Sequence, residues 1–200
     1  MRKHRIAMLC LLLCAGVAPP CAAKLNGHAA AFAGYKNLNS NQWTPVEGQP
    51  EWGAVTAVTF EGWPVHLALD VLGASDEGAH EVPFFGLVEE DASATEIALG
   101  VRKFWKGDPT VGYLGAGLSR ISLETEIREP SGVRKADEDA TAYWLGGGVL
   151  WRVWRNVELG VDLRWSQAEV DLNFDNGAVE PGVDAGGVHV GVTIGFGWGS

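Results

Sequence analysis

The chain has 200 residues, 46% of them hydrophobic, with a formal net charge of −10 and a sequence pI near 4.9. So acidic a balance excludes an ordinary nucleic-acid binder, whose affinity comes largely from Lys and Arg neutralising phosphates. A helical membrane protein is excluded as well, because no apolar run approaches the roughly eighteen residues a spanning helix needs.

Arg2, Lys3, His4 and Arg5 precede the apolar run 6–18, and Cys21, Ala22 and Ala23 stand ahead of Lys24. Basic, then apolar, then small is the order of a secretory signal peptide, and the apolar part is too short to span. Cleavage is expected after Ala23, leaving residues 24–200 as one domain. The cysteines (Cys10, Cys14, Cys21) all lie in this leader, so the mature chain has no disulfide framework. Leu13 precedes Cys14 and Pro20 precedes Cys21, a poor context for lipidation. Removing Arg2, Lys3 and Arg5 takes the formal charge from −10 to −13.

The first strand is expected within 26–35, where Phe32, Gly34 and Tyr35 outweigh the alanines, and 36–49 reads as a polar loop. Residues 52–60 (WGAVTAVTF) form a second strand, joined through Glu61 and Gly62 to a third over 63–72. There Val65, Leu67, Leu69 and Val71 oppose His66, Ala68 and Asp70. An acidic loop follows over 73–92, with the apolar patch Val82, Pro83, Phe84 and Phe85 inside it. The fourth strand, 93–103, sets Ile97, Leu99 and Val101 against Glu96, Ala98, Gly100 and Arg102. After a turn at 104–109, the fifth strand sets Leu114, Ala116 and Leu118 against Tyr113, Gly115, Gly117 and Ser119. Its apolar parity shifts near Arg120, which marks either a bulge or an extension beyond the lipid.

Residues 129–139 read as a third polar loop. The sixth strand, 141–154, places Tyr143, Leu145, Val149, Trp151 and Val153 opposite Trp144, Gly146, Gly148 and Arg152. Arg155 and Asn156 make a short turn into the seventh strand, where Leu159, Val161, Leu163 and Trp165 oppose Glu158, Gly160, Asp162 and Arg164. A parity break near Gln167 leads to a last loop at 173–186 and the strand 188–198 (VHVGVTIGFGW). That strand has one wholly apolar face and an opposite face of His189, Thr193 and glycines, about the length and pattern of a tilted membrane strand.

The expected fold is therefore all-β: an eight-stranded antiparallel up-and-down transmembrane barrel, closed because an open edge in lipid leaves backbone groups unpaired. Short connections follow strands two, four and six, and long ones the odd strands, so the long loops share one end and both termini the other. Trp63, Trp105, Trp151, Trp165 and Trp198 form the lipid-facing aromatic girdle.

The leader, the eight strands, the glycine-rich run from Tyr113 to Leu118 and the hairpin from Gly148 to Arg164 resemble the outer membrane protein β-barrel domain family. That group includes OmpA-like transmembrane domains, OmpX- and OmpW-like proteins and opacity-type surface proteins. The resemblance implies the outer membrane as location, with its lipid and lipopolysaccharide around a monomer and the barrel-assembly machinery as a transient partner. It implies an architecture rather than an activity, and an unknown surface ligand stays open. This chain continues past Trp198 with Gly199 and Ser200, whereas members of the family often end on Phe or Trp.

The lumen face carries Glu96, Arg102, Arg152, Glu158, Asp162 and Arg164, together with His66, Asp70 and His189. Such charges must pair or meet water. They form either a side-chain plug or a narrow pore for small polar solutes, and eight strands leave an interior that side chains can fill, which favours the plug. Arg152 and Glu158, beside the 155–156 turn, are the expected cross-link. No catalytic residue is expected: no His is followed two residues on by Ser, and His66 and Asp70 lie roughly 13 Å apart at strand rise. No cofactor or metal site is expected either, since phosphate-binding loops, dinucleotide fingerprints and cysteine–histidine zinc spacing are missing. The acidic loop over 76–91 could bind calcium or magnesium, but lacks an Asp-x-Asp-x-Asp-Gly arrangement. A soluble lipocalin-like carrier would reverse the faces, and the small, weakly charged residues opposite the apolar stripes suit a water-facing surface poorly.

Overall fold

A computed structural model describes residues 24–38, 48–82, 86–107, 109–129, 132–173 and 179–199; the expected leader lies outside them. In chain order the strands are β1 (Leu25–Leu38), β2 (Gly48–Phe60), β3 (His66–Val82), β4 (Gly86–Lys106), β5 (Thr110–Glu129), β6 (Gly132–Trp154), β7 (Val157–Gln167), β8 (Glu169–Asn173), β9 (Val179–Asp184) and β10 (Gly187–Trp198). Eight of them close into a barrel in the order β1-β10-β7-β6-β5-β4-β3-β2, while β8 and β9 pair as a separate two-stranded sheet. Neighbours are antiparallel, and closure is completed by β1 on β10, from Gly27 opposite Trp198 to Leu38 opposite Gly187. Gly197 N–H donates to Asn156 O at 2.9 Å and Glu61 N–H to Lys24 O at 3.3 Å. Lys24 and the end of β10 therefore both sit at the short-turn end, as the loop lengths imply.

The alternating apolar residues form a belt around the outside. Leu118 is 63% exposed and Val192 59%, values a water-soluble surface would not repeat strand after strand. From Val188 to Phe196 the belt is about 20 Å tall once strand tilt is allowed for. Trp52, Trp165, Tyr35 and Tyr143 edge it towards the hairpin end, and Phe60, Trp63, Trp105, Trp151 and Trp154 towards the short turns, all of them exposed. Trp198 departs from the expected girdle: it is half-buried, folded across Gly27, where a Cβ would meet its ring at 2.2 Å. The faces are the reverse of a soluble ligand carrier's, apolar outside and charged within.

Beyond the belt the structure departs from the expected loops. Most of 73–92 and of 129–139 is strand: β3 and β4 pair from His66 opposite Arg102 to Val82 opposite Gly86, and β5 and β6 as far as Glu129 opposite Gly132. Residues 36–38, 48–49, 173 and 179–184 are strand as well, whereas 39–47, 83–85, 130–131 and 174–178 lie outside the described residues. The second connection is also longer than Glu61 and Gly62, since β3 starts only at His66 and Trp63 belongs to the turn. β7 gives way at Ala168 to the separate β8–β9 hairpin.

No bulge interrupts β5 against β6 at Arg120. Backbone parity runs straight through, and the side chains exchange roles instead. Ser119, Ile121, Leu123 and Thr125 point inward, and Arg120 and Glu124 outward. The ten residues from Arg120 to Glu129 run about 30 Å along the strand past the belt. Outside it they are held by cross-strand ion pairs, Lys135 to Glu126 at 2.6 Å, Arg128 to Asp91 at 2.7 Å and Arg120 to Asp139 at 2.6 Å. The hydrogen bond from Lys135 holds the Glu126 carboxyl below its usual range, and that from Arg120 does the same for Asp139. Inside, an apolar core joins Leu38 of β1, Ile121 and Leu123 of β5, Ala136 and Ala140 of β6, and Ala168, Val183 and Ala185 at the base of the β8–β9 hairpin. Since β1 and β5 are four strands apart in a ring of eight, this core bridges opposite walls.

Candidate functional site

Below the apolar core the lumen is filled with charge. Along β7 the inward positions are Glu158, Gly160, Asp162, Arg164 and Ser166, and each polar one among them meets a partner from another wall.

At the short-turn end, Glu158 accepts a hydrogen bond from His28 Nδ1 of β1 at 2.8 Å and lies 3.6 Å from Arg152 Nη2 of β6. Higher up, Tyr113 of β5 donates its phenol O–H to Asp162. The middle tier is the densest. Asp70 of β3, fully buried, takes a 2.6 Å hydrogen bond from Arg102 Nη2 of β4 and another from Arg164. Its second oxygen accepts from Thr56 N–H at 3.3 Å. Arg164 also approaches Glu96 Oε1 at 3.5 Å. The Trp144 indole underlies both guanidiniums, 4.6 Å from Arg164 and 5.7 Å from Arg102. It fits because Gly100 and Gly115 clear space for it; a Cβ at Gly100 would meet its ring at 2.6 Å. Stacking of this kind, with a carboxylate between two Arg forks, is the arrangement in which a guanidinium tolerates burial.

In the upper tier His189 of β10 is fully buried, with Nδ1 at 2.9 Å from Glu51 Oε1 of β2 and Nε2 at 3.0 Å from Ser166 Oγ. Glu96 stands 3.9 Å from the same Nε2. Lys36, 1% exposed, crosses beneath the core and donates to Ala185 O at 3.2 Å. Ser166, His189 and Glu51 follow the order nucleophile, imidazole, carboxylate of hydrolytic triads. Ser166 has no exposed surface, however, and the two cavities that flank the filling do not reach it.

Of these two cavities, one lies at each end of the filling. One of about 60 Å³ opens at the short-turn end beside His28, His66, Arg152 and Glu158. The other, about 1200 Å³ and open, lies among the hairpin extensions against Asp76, Asp91, Glu124, Glu126, Arg128 and Lys135. Among the described residues no group of three His, Cys, Asp or Glu is arranged to hold a metal ion.

Of the residues read from sequence as lumen-facing, Glu96, Arg102, Glu158, Asp162 and Arg164 are buried inside, with exposures of 2–6%. His66 is half-buried beside the small cavity, and Arg152 is a correction: its side chain is 43% exposed at the barrel rim. It stands opposite Glu158 as the register requires, yet the partner closest to Glu158 is His28. Arg152 is the last residue before the β6 register shift between Arg152 and Trp154 ahead of the turn, where the wall no longer screens it from water. The principal cross-link is the Asp70 cluster, two tiers higher. Sequence reasoning passed over Glu51 and Lys36. Carrying strand one on from Phe32 and Gly34 by two residues would have put Lys36 inside, but the polar run that begins there disguised it.

No protein-family model matches the sequence, and no curated protein does. Solved structures do match in fold. A major outer membrane protein from Thermus thermophilus superposes with a TM-score of 0.60 at 11% identity, covering 87% of this chain and 99% of that one. The N-terminal β-barrel domain of Pseudomonas aeruginosa OprF gives 0.53 at 16% identity, covering 88% and 98%. Neisserial surface protein A gives 0.52 at 15%, covering 88% and 99%. Ail of Yersinia pestis, solved in complex with the heparin analogue sucrose octasulfate, gives 0.51 at 10%, covering 87% and 97%. The chain thus has the eight-stranded antiparallel barrel fold of outer membrane proteins, the fold expected from its strands.

Proposed function

We propose that this chain is a monomeric outer-membrane barrel with a closed lumen, whose task is structural or interactive at the cell surface. One observation carries the reading: opposite walls are tied together at two levels. Asp70 of β3 binds Arg164 of β7 across the interior, and the apolar core joins β1 to β5 above it. A solute would have to break both. The outer belt meets lipid, and the barrel has no free edge within it to recruit a second copy. The hairpin end, with Arg120, Glu124, Glu126, Arg128 and Lys135 outward, faces the medium among the lipopolysaccharide headgroups, and the short turns face the periplasm. Insertion through the barrel-assembly machinery is part of this reading.

The large cavity at the hairpin end carries Asp76, Asp91, Glu124, Glu126 and Asp137 against Arg128 and Lys135. A polyanion such as the heparin analogue bound to Ail would be repelled there, so a surface partner would present cationic or neutral groups. Catalysis is not proposed, because Ser166 has no room for a substrate.

Planar-bilayer recording of the refolded protein tests the closed lumen: little or no conductance is expected, and a large steady conductance would promote the narrow-pore reading. Tags inserted in 39–47, 83–85, 130–131 or 174–178 should be labelled on intact cells, and a tag at 61–62 or 155–156 should not. A fluorophosphonate probe should leave folded protein unmodified; labelling at Ser166 would reopen the enzymatic reading.

A further inference from the structure

Among the described lumen residues five carboxylates are buried, those of Glu51, Asp70, Glu96, Glu158 and Asp162. Only three basic side chains are buried with them, Lys36, Arg102 and Arg164. At the margins the exposed Arg152 and the half-buried Asp184 add one charge of each sign. Two negative charges are left over. Two buried imidazoles each lie against one of these carboxylates, His28 at 2.8 Å from Glu158 and His189 at 2.9 Å from Glu51. Uncompensated charge in a dry interior is costly, so a count that misses by two is unstable, and one that the histidines complete is not.

We propose that the protonated rings of His28 and His189 complete the charge balance that closes the lumen, so that the barrel is tightest in mildly acidic medium and loosens as these protons are lost. Histidine is the side chain whose charge changes in this range.

The surroundings of each ring fit the assignment. From β2 and β4, His189 faces Glu51 and Glu96; from β7 it faces Arg164 and Ser166, and from β1 Lys36, with Asp184 of β9 near Lys36. Both cations are already engaged, Arg164 with Asp70 and Glu96 and Lys36 with the Ala185 carbonyl. A cationic ring donates from Nδ1 to Glu51 and from Nε2 to Ser166, using both nitrogens as donors. His28 faces Glu158 of β7, with Arg152 of β6 beyond it and His66 of β3 across the small cavity. Each ring links walls on either side of the closure, β1 to β7 at one end and β10 to β2 at the other. Loss of both protons therefore weakens both ends together.

The inference rests on the closed-lumen reading and can fail separately from it. The test compares wild type, His28→Gln, His189→Gln and the double variant in phospholipid vesicles at pH 5.5 and 8.5. The wild-type urea midpoint should fall at the higher pH, with conductance events appearing there; each single variant should lose part of that fall and the double variant all of it. A wild-type midpoint equal at both pH values, or a double variant that keeps the fall, overturns the proposal. Should the double variant not refold, imidazole nitrogen resonances of the wild type in micelles decide: both rings must carry two ring protons at pH 5.5 and lose one across the window. Conductance at both pH values would instead overturn the closed lumen, while the ring resonances still judge the histidines.

Discussion

Asp70→Asn is the sharpest probe of the barrel's closure. It keeps the side chain's shape and an acceptor oxygen but removes the charge that neutralises two guanidiniums. Arg102 and Arg164 are 3% and 2% exposed, so neither can turn to water. Arg102 would be left with the Thr56 carbonyl at 3.5 Å and two aromatic faces. Arg164 would keep Glu96 at 3.5 Å. Removing one partner of a buried pair costs about 3–5 kcal/mol, and the second carboxylate near Arg164 puts this case near the lower figure. At 1.4 kcal/mol per tenfold, about 3 kcal/mol is a loss of roughly a hundredfold in the folding equilibrium. Urea titration of refolding into lipid vesicles reads it directly. Removing a guanidinium as well, in Asp70→Asn with Arg102→Met, should recover part of the loss, because a matched apolar replacement leaves one fewer charge stranded. A single-variant loss below about 1 kcal/mol would refute the reasoning, since exposed pairs are worth that little and the lumen would have to be wet.

Val161→Arg places a charge in the middle of the belt, where Val161 is 44% exposed, and should cost about 2–4 kcal/mol of refolding stability. Asp162→Asn, on the inner face and still able to accept from Tyr113, should cost less in the same vesicle titration. Arg152→Ala should cost under about 1 kcal/mol, because that side chain is 43% exposed and His28 remains on Glu158. In the hairpin extension, Glu126 and Asp139 have carboxyls held below their usual range by hydrogen bonds from Lys135 and Arg120. Their contribution is therefore present above the unfolded-state values and lost as pH falls through the folded ones. Hydrogen exchange of β5 and β6 amides, corrected for intrinsic rate, should show that end opening below about pH 4 while the belt stays protected.

Strand parity within the belt was legible because lipid and lumen make opposite demands. Leu159, Val161 and Leu163 against Glu158, Asp162 and Arg164 admit only one orientation, and all six sit where the alternation puts them. Which charges meet was less legible. Arg152 and Glu158 are neighbours through a turn, so sequence proximity recommended them. Asp70 reaches Arg164, four strands away around the ring, and only the packed interior brings the two together. Glu51 and Lys36 were hidden in the same way, Glu51 just ahead of the second strand read from sequence and Lys36 at the start of the polar run after the first. β-propensity is low for Glu, Asp, Ser and Gly, and the extended hairpins are rich in them.

The change of chemistry in β5 shows why composition misled there and what the extension does. A strand has two faces, and each takes the character opposite to its surroundings. Within the belt the outside is hydrocarbon, so Leu114 and Leu118 face out, and the polar groups that hold the walls together face in. Past Arg120 the outside is water, and the stable arrangement is that of any soluble sheet, charges out and Ile121 and Leu123 in. The same backbone ladder thus carries a membrane barrel below and a water-facing sheet with an apolar core above. The crossover falls at Ser119 and Arg120, one residue beyond the last exposed leucine. A one-residue slip of β5 against β4 would bury Arg120 in that apolar core and expose Ile121 to water, while turning Leu118 into the charged lumen. Errors of opposite kind at both levels penalise the slip, so the inversion holds the strand's register as well as marking the edge of the membrane.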